Sequence, residues 1–213
     1  MAQIKSRKHN RTAPLVALAA SLPLMTHAAT PAKDETTVLP KITVQSEVEN
    51  KYKADAVSSP KYTQPLVDTP QTISVIKKEL LKEQGAASLT EALRNTPGIT
   101  LQLGENGNTS AGDSFQMRGF DTKNSIYLDG IRDIGAISRD IYNLEQIEVV
   151  KGPSGAEAGR GGAGGYINLV SKLPHLENSQ EVSATYNTAE HSRLTADINQ
   201  ALSTGTAIRL NVM

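Results

Sequence analysis

The feature that most constrains this sequence is a glycine-rich loop between two apolar runs, all within residues 143–172. The runs at residues 147–150 and 166–170 are rich in β-branched and aromatic side chains, which predicts a strand on each side of the loop. Seven glycines lie between residues 152 and 165. A single tight turn needs fewer, so the loop predicts close approach of backbone to backbone in a confined space.

The first 28 residues have the pattern of an export signal. Residues 5–11 carry four basic side chains, residues 13–25 form an apolar run with two prolines, and residues 26–28 form the cleavage region. The apolar run is shorter than the roughly 20 residues of a membrane-spanning helix. We therefore predict a cleaved signal peptide at residues 1–28 and a mature chain that begins near Ala29.

Charge and cysteine content exclude two classes of protein. The 213 residues include 22 basic and 22 acidic side chains, and removing the four basic residues of the export signal leaves 18 basic against 22 acidic. No basic surface for nucleic acid is expected from that balance. The chain contains no cysteine, so an exported domain of this sequence cannot be a disulfide scaffold.

Residues 29–67 are predicted to be a linker that contains one extended segment. Residues 38–45 alternate apolar and polar side chains, and Pro40 disfavours a helix. The pattern alone leaves two interpretations open. The segment is either an ordinary first strand of the domain or a strand lent to the sheet edge of another protein.

Residues 68–175 predict an α+β domain with a small mixed sheet and short helices. Ser88 and Glu91 form a capping-box pattern at the start of a helix, and Asp129-Gly130 is a hairpin-turn signal. The other predicted elements are a helix at residues 77–84 and strands at residues 72–76, 99–103, 115–119 and 125–128.

Residues 180–213 change to alternating polarity, with strand-length segments at residues 181–188, 193–202 and 206–213. This pattern predicts the first antiparallel strands of an incomplete transmembrane β-barrel. Three strands cannot close a barrel, because the smallest membrane barrels have about 8. We therefore expect the 213 residues to be the N-terminal portion of a longer protein.

The sequence gives little support for an enzyme or a bound cofactor. Residues 159–164 match the dinucleotide pattern G-x-G-x-x-G, but a predicted strand follows where a helix would have to receive the pyrophosphate. After removal of the signal peptide only His175 and His191 remain, far apart in sequence, so no metal site of the protein itself is expected. Glu145 and Glu148 are better explained as partners of arginines than as an acid–base pair.

Four motifs in fixed order carry a family resemblance: residues 117–120, 127–130, 144–153 and 164–170. The series resembles the plug domain of TonB-dependent outer-membrane receptors, and most closely that of siderophore receptors. Residues 132–140 resemble the catecholate-type branch, while hydroxamate, citrate-type and xenosiderophore substrates stay open.

The resemblance implies an outer-membrane receptor that imports ferric siderophores with energy from TonB, ExbB and ExbD. The siderophore is then a substrate, and no cofactor is bound by the protein itself. The alternatives are a soluble periplasmic plug-like binding or scaffold module and, on the glycine match alone, a nucleotide-dependent enzyme.

The same resemblance implies roles for individual residues. The TonB box, which binds TonB, is assigned to Lys41, Ile42, Thr43, Val44 and Gln45. Contacts between plug and barrel are expected from Arg118, Glu145, Glu148 and Arg160. Ligand-facing plug loops are expected to present Asn106, Asn108, Asp113, Arg132 and Arg139.

Overall fold

Three sheets, two short α-helices and one 3₁₀ turn (Leu66–Asp68) make up the part of the chain that the computed structural model describes, which is residues 50–104, 112–155, 157–159, 162–188 and 190–213. The helices are α1 (Lys78–Glu83) and α2 (Leu89–Leu93). The strands are β1 (Thr72–Lys77), β2 (Ile99–Leu101), β3 (Phe115–Met117), β4 (Phe120–Asp121), β5 (Ile126–Leu128), β6 (Ile131–Arg132), β7 (Leu144–Lys151), β8 (Gly165–Ser171), β9 (Ser179–Tyr186), β10 (Ser192–Ser203) and β11 (Thr206–Val212).

The central sheet has five strands in the order β1-β7-β8-β5-β6. The two strands predicted around the glycine-rich loop are β7 and β8, which pair antiparallel with Val149 opposite Ile167. Strand β5 runs parallel to β8 on its other side. The sheet is therefore mixed, as the sequence predicts. Ile147, Val149 and Ile167 are fully buried, because β7 and β8 lie in the middle of the sheet and carry the core of the domain.

The two helices begin and end where the local sequence signals place them. The Ser88 hydroxyl accepts a hydrogen bond from the Glu91 backbone N–H, and the Glu91 carboxylate accepts from the Ser88 N–H, which completes the capping box. Helix α1 ends before Gly85, which has φ +63°. Leu89 and Leu93 of α2 are fully buried in the core, so this five-residue helix is held by packing rather than by its length.

Glycine is required where β8 begins. Gly165 has φ +118°, and a Cβ on it would lie 2.0 Å from the Val150 carbonyl oxygen. A Cβ on Gly164 would lie 2.7 Å from the Met117 carbonyl oxygen. The predicted close backbone approach is confirmed, and the crowding comes from strands of the same domain. The strand β8 also follows the G-x-G-x-x-G match, which removes the helix N-terminus that a dinucleotide site requires.

Strands β9, β10 and β11 form a separate antiparallel sheet in the order β11-β10-β9. Their bounds lie within two residues of the predicted segments at every end, and the sheet is open in the described chain. Asn199 of β10 is fully buried and fixes the connection from β8. Its side-chain oxygen accepts from the His175 N–H at 3.1 Å, and its amide donates to the Glu177 carbonyl at 2.6 Å.

We expect Gly165→Val to lower the free energy of unfolding by about 3 kcal/mol or more, because overpacking and unfavourable φ each cost about 1–3 kcal/mol. Urea unfolding followed by tyrosine fluorescence measures this in a chain without tryptophan. Gly205→Val is the matched control, since no atom lies within 4 Å of a Cβ at Gly205. Equal unfolding midpoints for the two variants would show that the contact at Gly165 carries no constraint.

Candidate functional site

One candidate surface is the loop cluster, which we define as residues 112–114 and 131–139. The Asp113 N–H donates to the Ile137 carbonyl at 2.9 Å and joins the two loops. The Arg139 guanidinium lies between them, with Nε donating to the Asp133 carboxylate at 2.7 Å and Nη1 donating to the Asp113 carboxylate at 3.3 Å. Nη2 donates to the carbonyls of Asp133 and Gly135. A single arginine therefore fixes the shape of the cluster.

This geometry corrects the prediction that Asp113 and Arg139 face a ligand. Their side chains are 1% and 6% exposed, so they stabilise the loops from inside. Arg132 is half-buried and turns back toward β5, where Nη2 donates to the Tyr127 hydroxyl at 3.0 Å. The guanidinium also lies over the Tyr127 ring, 5.5 Å from its centroid. Asn106 and Asn108 lie outside the described residues.

The loop cluster also carries exposed apolar side chains. Ile131 in β6, and Ile134 and Ile137 in the loop that follows it, are 76%, 70% and 54% exposed. Exposed aliphatic side chains that come close together can form a binding surface. The sequence predicts residues 104–114 and 131–139 as the ligand-facing loops, but through their polar side chains and not through these isoleucines.

Glu148 also differs from its prediction as a contact to the barrel. It is 2% exposed and lies within the central sheet. Its carboxylate accepts from the Ser58 backbone N–H at 2.5 Å, from the Gln146 amide at 2.7 Å and from the Asn168 amide at 2.9 Å. Three neutral donors bind Glu148 where the sequence predicts an arginine partner. The reason is that β7 directs this side chain toward β8 and toward the segment that contains Ser58, and not toward β9–β11.

The amino-terminal segment, which we define as residues 50–65, packs against the central sheet through polar contacts. The Tyr62 and Tyr166 hydroxyls are 3.0 Å apart, and Tyr62 also donates to Gln71 at 2.9 Å. Burial raises the pKa of Tyr166, and the hydrogen bond with Tyr62 raises it further. Burial likewise raises the pKa of Tyr62. The predicted TonB box at residues 41–45 precedes this segment and lies outside the described residues.

Ion pairs join the central domain to β9–β11. Arg193 of β10 donates both Nη atoms to the Asp140 carboxylate, at 2.5 and 2.6 Å. Burial alone would raise the pKa of Asp140, but the bonds from Arg193 and from the Tyr142 N–H hold the pKa below its ordinary value. The Glu145 carboxylate lies 2.6 Å from the Lys78 ammonium and 3.7 Å from the Arg209 guanidinium of β11. Glu145, which is predicted to contact the barrel, therefore lies beside the sheet β9–β11.

Arg118 occupies a strained turn beside a second cation. It has φ +52°, and its Nη2 donates to the Thr72 hydroxyl at 3.3 Å. Burial lowers the pKa of the neighbouring Lys151, and the charge of Arg118 lowers it further. Within the described residues neither cation has an ion pair with a carboxylate, so the pairing of Arg118 with a barrel acid stays a prediction. Arg160 lies outside the described part.

Two further properties of the described residues bear on other kinds of site. In that part of the chain no group of three or more His, Cys, Asp or Glu side chains is arranged to hold a metal ion. No described helix is long and apolar enough to cross a membrane.

Comparison with known proteins gives consistent matches. Residues 65–166 match the family TonB-dependent Receptor Plug Domain. The catecholate siderophore receptor Fiu of Escherichia coli K12 is 45% identical over 183 residues, which is 85% of this chain and 24% of that protein. The probable TonB-dependent siderophore receptor PiuA of Acinetobacter baumannii is 37% identical over 197 residues, which is 92% of this chain and 26% of that protein.

Solved structures agree with these matches. The closed form of the ferric-catecholate import receptor Fiu from Escherichia coli K12 aligns with a TM-score of 0.71 at 48% identity, over 76% of this chain and 23% of that one. The PiuA structure from Acinetobacter baumannii aligns with a TM-score of 0.70 at 38% identity, with the same coverage. This chain therefore spans about a quarter of the length of these relatives.

We expect Arg139→Met to destabilise the fold by about 3–5 kcal/mol, because it leaves the Asp113 carboxylate buried without its cation. Urea unfolding gives the free energy directly. Adding Asp113→Asn to Arg139→Met should recover part of the loss, since the unpaired charge is then removed. Arg94→Met, at an exposed arginine, should stay within about 0.5 kcal/mol of the parent chain. A cost below about 1 kcal/mol for Arg139→Met would contradict the role given to this pair.

The buried tyrosine pair predicts a loss of stability at alkaline pH. Because the pKa of Tyr166 is higher in the folded than in the unfolded chain, its stabilisation is complete below about pH 10 and is lost as the pH rises toward the folded value. Urea unfolding at pH 8 and pH 11 should show a smaller alkaline loss for Tyr166→Phe than for the parent chain. Tyr186→Phe, at an exposed tyrosine, is the control. Identical losses in all three would show that Tyr166 ionises normally.

Proposed function

Because residues 65–166 make this chain a member of the TonB-dependent receptor family, we propose that it is part of an outer-membrane receptor that imports ferric siderophores with energy delivered through TonB. The observation that carries the proposal is the agreement of sequence and fold with Fiu and PiuA, whose names describe siderophore receptors. The named relatives are receptors rather than enzymes. They favour the receptor over a soluble periplasmic module of the same fold.

In this function the central domain is a plug and β9–β11 are the first strands of the surrounding barrel wall. The ion pairs Asp140–Arg193 and Glu145–Arg209 then hold plug to wall. Lys82 of α1 and Glu181 of β9 form a third pair at the same boundary. Such charged contacts suit a lumen that water can enter. Charged side chains are hydrated again when they separate, whereas separated apolar surfaces are not.

Energy transfer is assigned to the segment that precedes the described residues. We assign residues 41–45 as the TonB box, where the alternating side chains suit strand addition to TonB, which ExbB and ExbD would energise. The box is followed within a few residues by the amino-terminal segment, whose contacts with Glu148 and Tyr166 attach it to the central sheet. A pull on the box therefore acts first on the contacts of Lys51 and Tyr52 with Glu83, and then on those with Glu148 and Tyr166.

The substrate assignment is a ferric catecholate, which delivers iron already chelated. The exposed aliphatic side chains of Ile131, Ile134 and Ile137 can pack against aromatic catechol rings. The buried Arg139 supports this face by fixing the loop shape. The ligand contact is thus assigned to the aliphatic residues of the loop cluster in place of its charged residues.

Uptake measurements on the receptor expressed from its complete gene test the proposal. We expect cells to accumulate labelled iron from the ferric complex of a simple catechol acid, and less from ferric citrate or a ferric trihydroxamate. Ile42→Pro or Val44→Pro should abolish uptake while the catechol complex still binds, because proline removes a backbone donor from the lent strand.

Thr36→Pro is the matched control, since it introduces proline into the linker outside the box and should leave uptake intact. Uptake that persists in both Ile42→Pro and Val44→Pro would refute the TonB-box assignment. Lack of accumulation from all three complexes by the parent receptor, despite its presence in the outer membrane, would refute siderophore import.

A further inference from the structure

A buried chain of hydrogen bonds crosses the central sheet from the amino-terminal segment to the turn that precedes the loop cluster. The Ser58 N–H donates to Glu148 Oε1 at 2.5 Å. The Asn168 amide nitrogen donates to Glu148 Oε2 at 2.9 Å. The Gly130 N–H donates to the Asn168 side-chain oxygen at 2.9 Å. Glu148 and Asn168 are 2% and 4% exposed, so water competes little for these bonds.

The chemistry of the three bonds allows one arrangement. A carboxylate can only accept and a backbone N–H can only donate. Asn168 must therefore present its NH2 group to Glu148 and its oxygen to Gly130. A rotation of this amide about its terminal bond would break both contacts together.

The fold itself does not require these polar side chains. Glu148 lies between Ile147 and Val149 on β7, and Asn168 lies between Ile167 and Leu169 on the adjacent strand β8. The three donors to the Glu148 carboxylate are all neutral, so its charge is buried with hydrogen bonds alone. Well-packed apolar residues at such positions are often equally stabilising or better. Buried polar side chains that the fold does not require, such as Glu148 and Asn168 in the centre of this sheet, point to a functional role.

We propose that Glu148 and Asn168 couple the amino-terminal segment to the loop cluster. The inference deepens the proposed function, because in that function one end of the chain is pulled and the other contacts the ligand. The segment that contains Ser58 covers Glu148, and lifting it admits water to the carboxylate. The hydrated Glu148 then leaves Asn168, whose amide rotates and releases Gly130 at the start of the loop 131–139.

The coupling acts in both directions, as linkage requires. A ligand that shifts the loop 131–139 draws Gly130 away from Asn168 and weakens the hold of Asn168 on Glu148. The Ser58 contact is then easier to break, and the amino-terminal segment detaches more readily. In the proposed function, bound substrate therefore makes the segment next to the TonB box easier to pull away.

Amide hydrogen exchange, read by mass spectrometry on the complete receptor without ligand, tests the coupling. Ser58→Pro removes the N–H that Glu148 accepts, whereas Ser58→Ala keeps it and is the matched control. We expect Ser58→Pro to raise exchange in residues 127–135 by about fivefold or more, the factor expected for loss of one hydrogen bond. Ser58→Ala should exchange like the parent receptor, and α2 should stay protected in both.

Asn168→Leu tests the reverse direction and should raise exchange in residues 50–62. The proposal is overturned if Ser58→Pro changes exchange in residues 50–62 alone, or nowhere. Loss of protection in α2 would show that Asn168→Leu does not fold. In that case the comparison of Ser58→Pro with Ser58→Ala decides the result. These measurements involve no transport, so their failure would leave siderophore import standing, and a failure of uptake would leave the coupling standing.

Discussion

The fold depends on the backbone contact where β8 begins. Gly164 and Gly165 bring this strand against the carbonyls of Met117 and Val150, and a Cβ on either glycine would overlap those oxygens. Strand β8 pairs with β7 on one side and with β5 on the other. A displacement at its first residue would therefore shift the register of both pairings and move the buried Ile167 out of the core. The glycine-rich sequence is a packing requirement of the central sheet.

Most of the fold could be predicted because its signals are local. The capping box at Ser88, the hairpin turn and the strand periodicities each depend on a few neighbouring residues. Burial of single side chains could not be predicted in the same way. Arg139 meets a carboxylate 26 residues away, and Glu148 meets a backbone N–H 90 residues away. A charged residue in a loop is usually exposed, so Asp113 and Arg139 resembled ligand contacts until tertiary packing placed them inside.

The two ends of the central domain are attached by different chemistry. Partly buried ion pairs such as Asp140–Arg193 connect it to β9–β11. The amino-terminal segment is attached by a neutral bond between Tyr62 and Tyr166, by the Ser58 N–H to the Glu148 carboxylate and by an ion pair between Lys51 and Glu83. The Lys51–Glu83 pair is exposed, and exposed ion pairs contribute little to stability. Partly buried bidentate contacts such as Asp140–Arg193 are stronger. We therefore expect the connection to the strands to resist separation better than the amino-terminal segment does.

The polar character of that attachment also lowers the work of detaching it. Lifting an apolar segment from a sheet exposes apolar surface at about 25 cal/mol per Å² on both sides. Lifting the segment from Glu148 and Tyr166 exchanges protein hydrogen bonds for water, at a net cost of about 1 kcal/mol for the tyrosine bond and about 1.5–3 kcal/mol for the bond to the carboxylate. The exposed carboxylate gains hydration as it leaves the sheet, which offsets part of that cost. The buried Glu148 carboxylate thus keeps the amino-terminal segment ordered while it is attached. The same carboxylate allows a modest force to detach the segment.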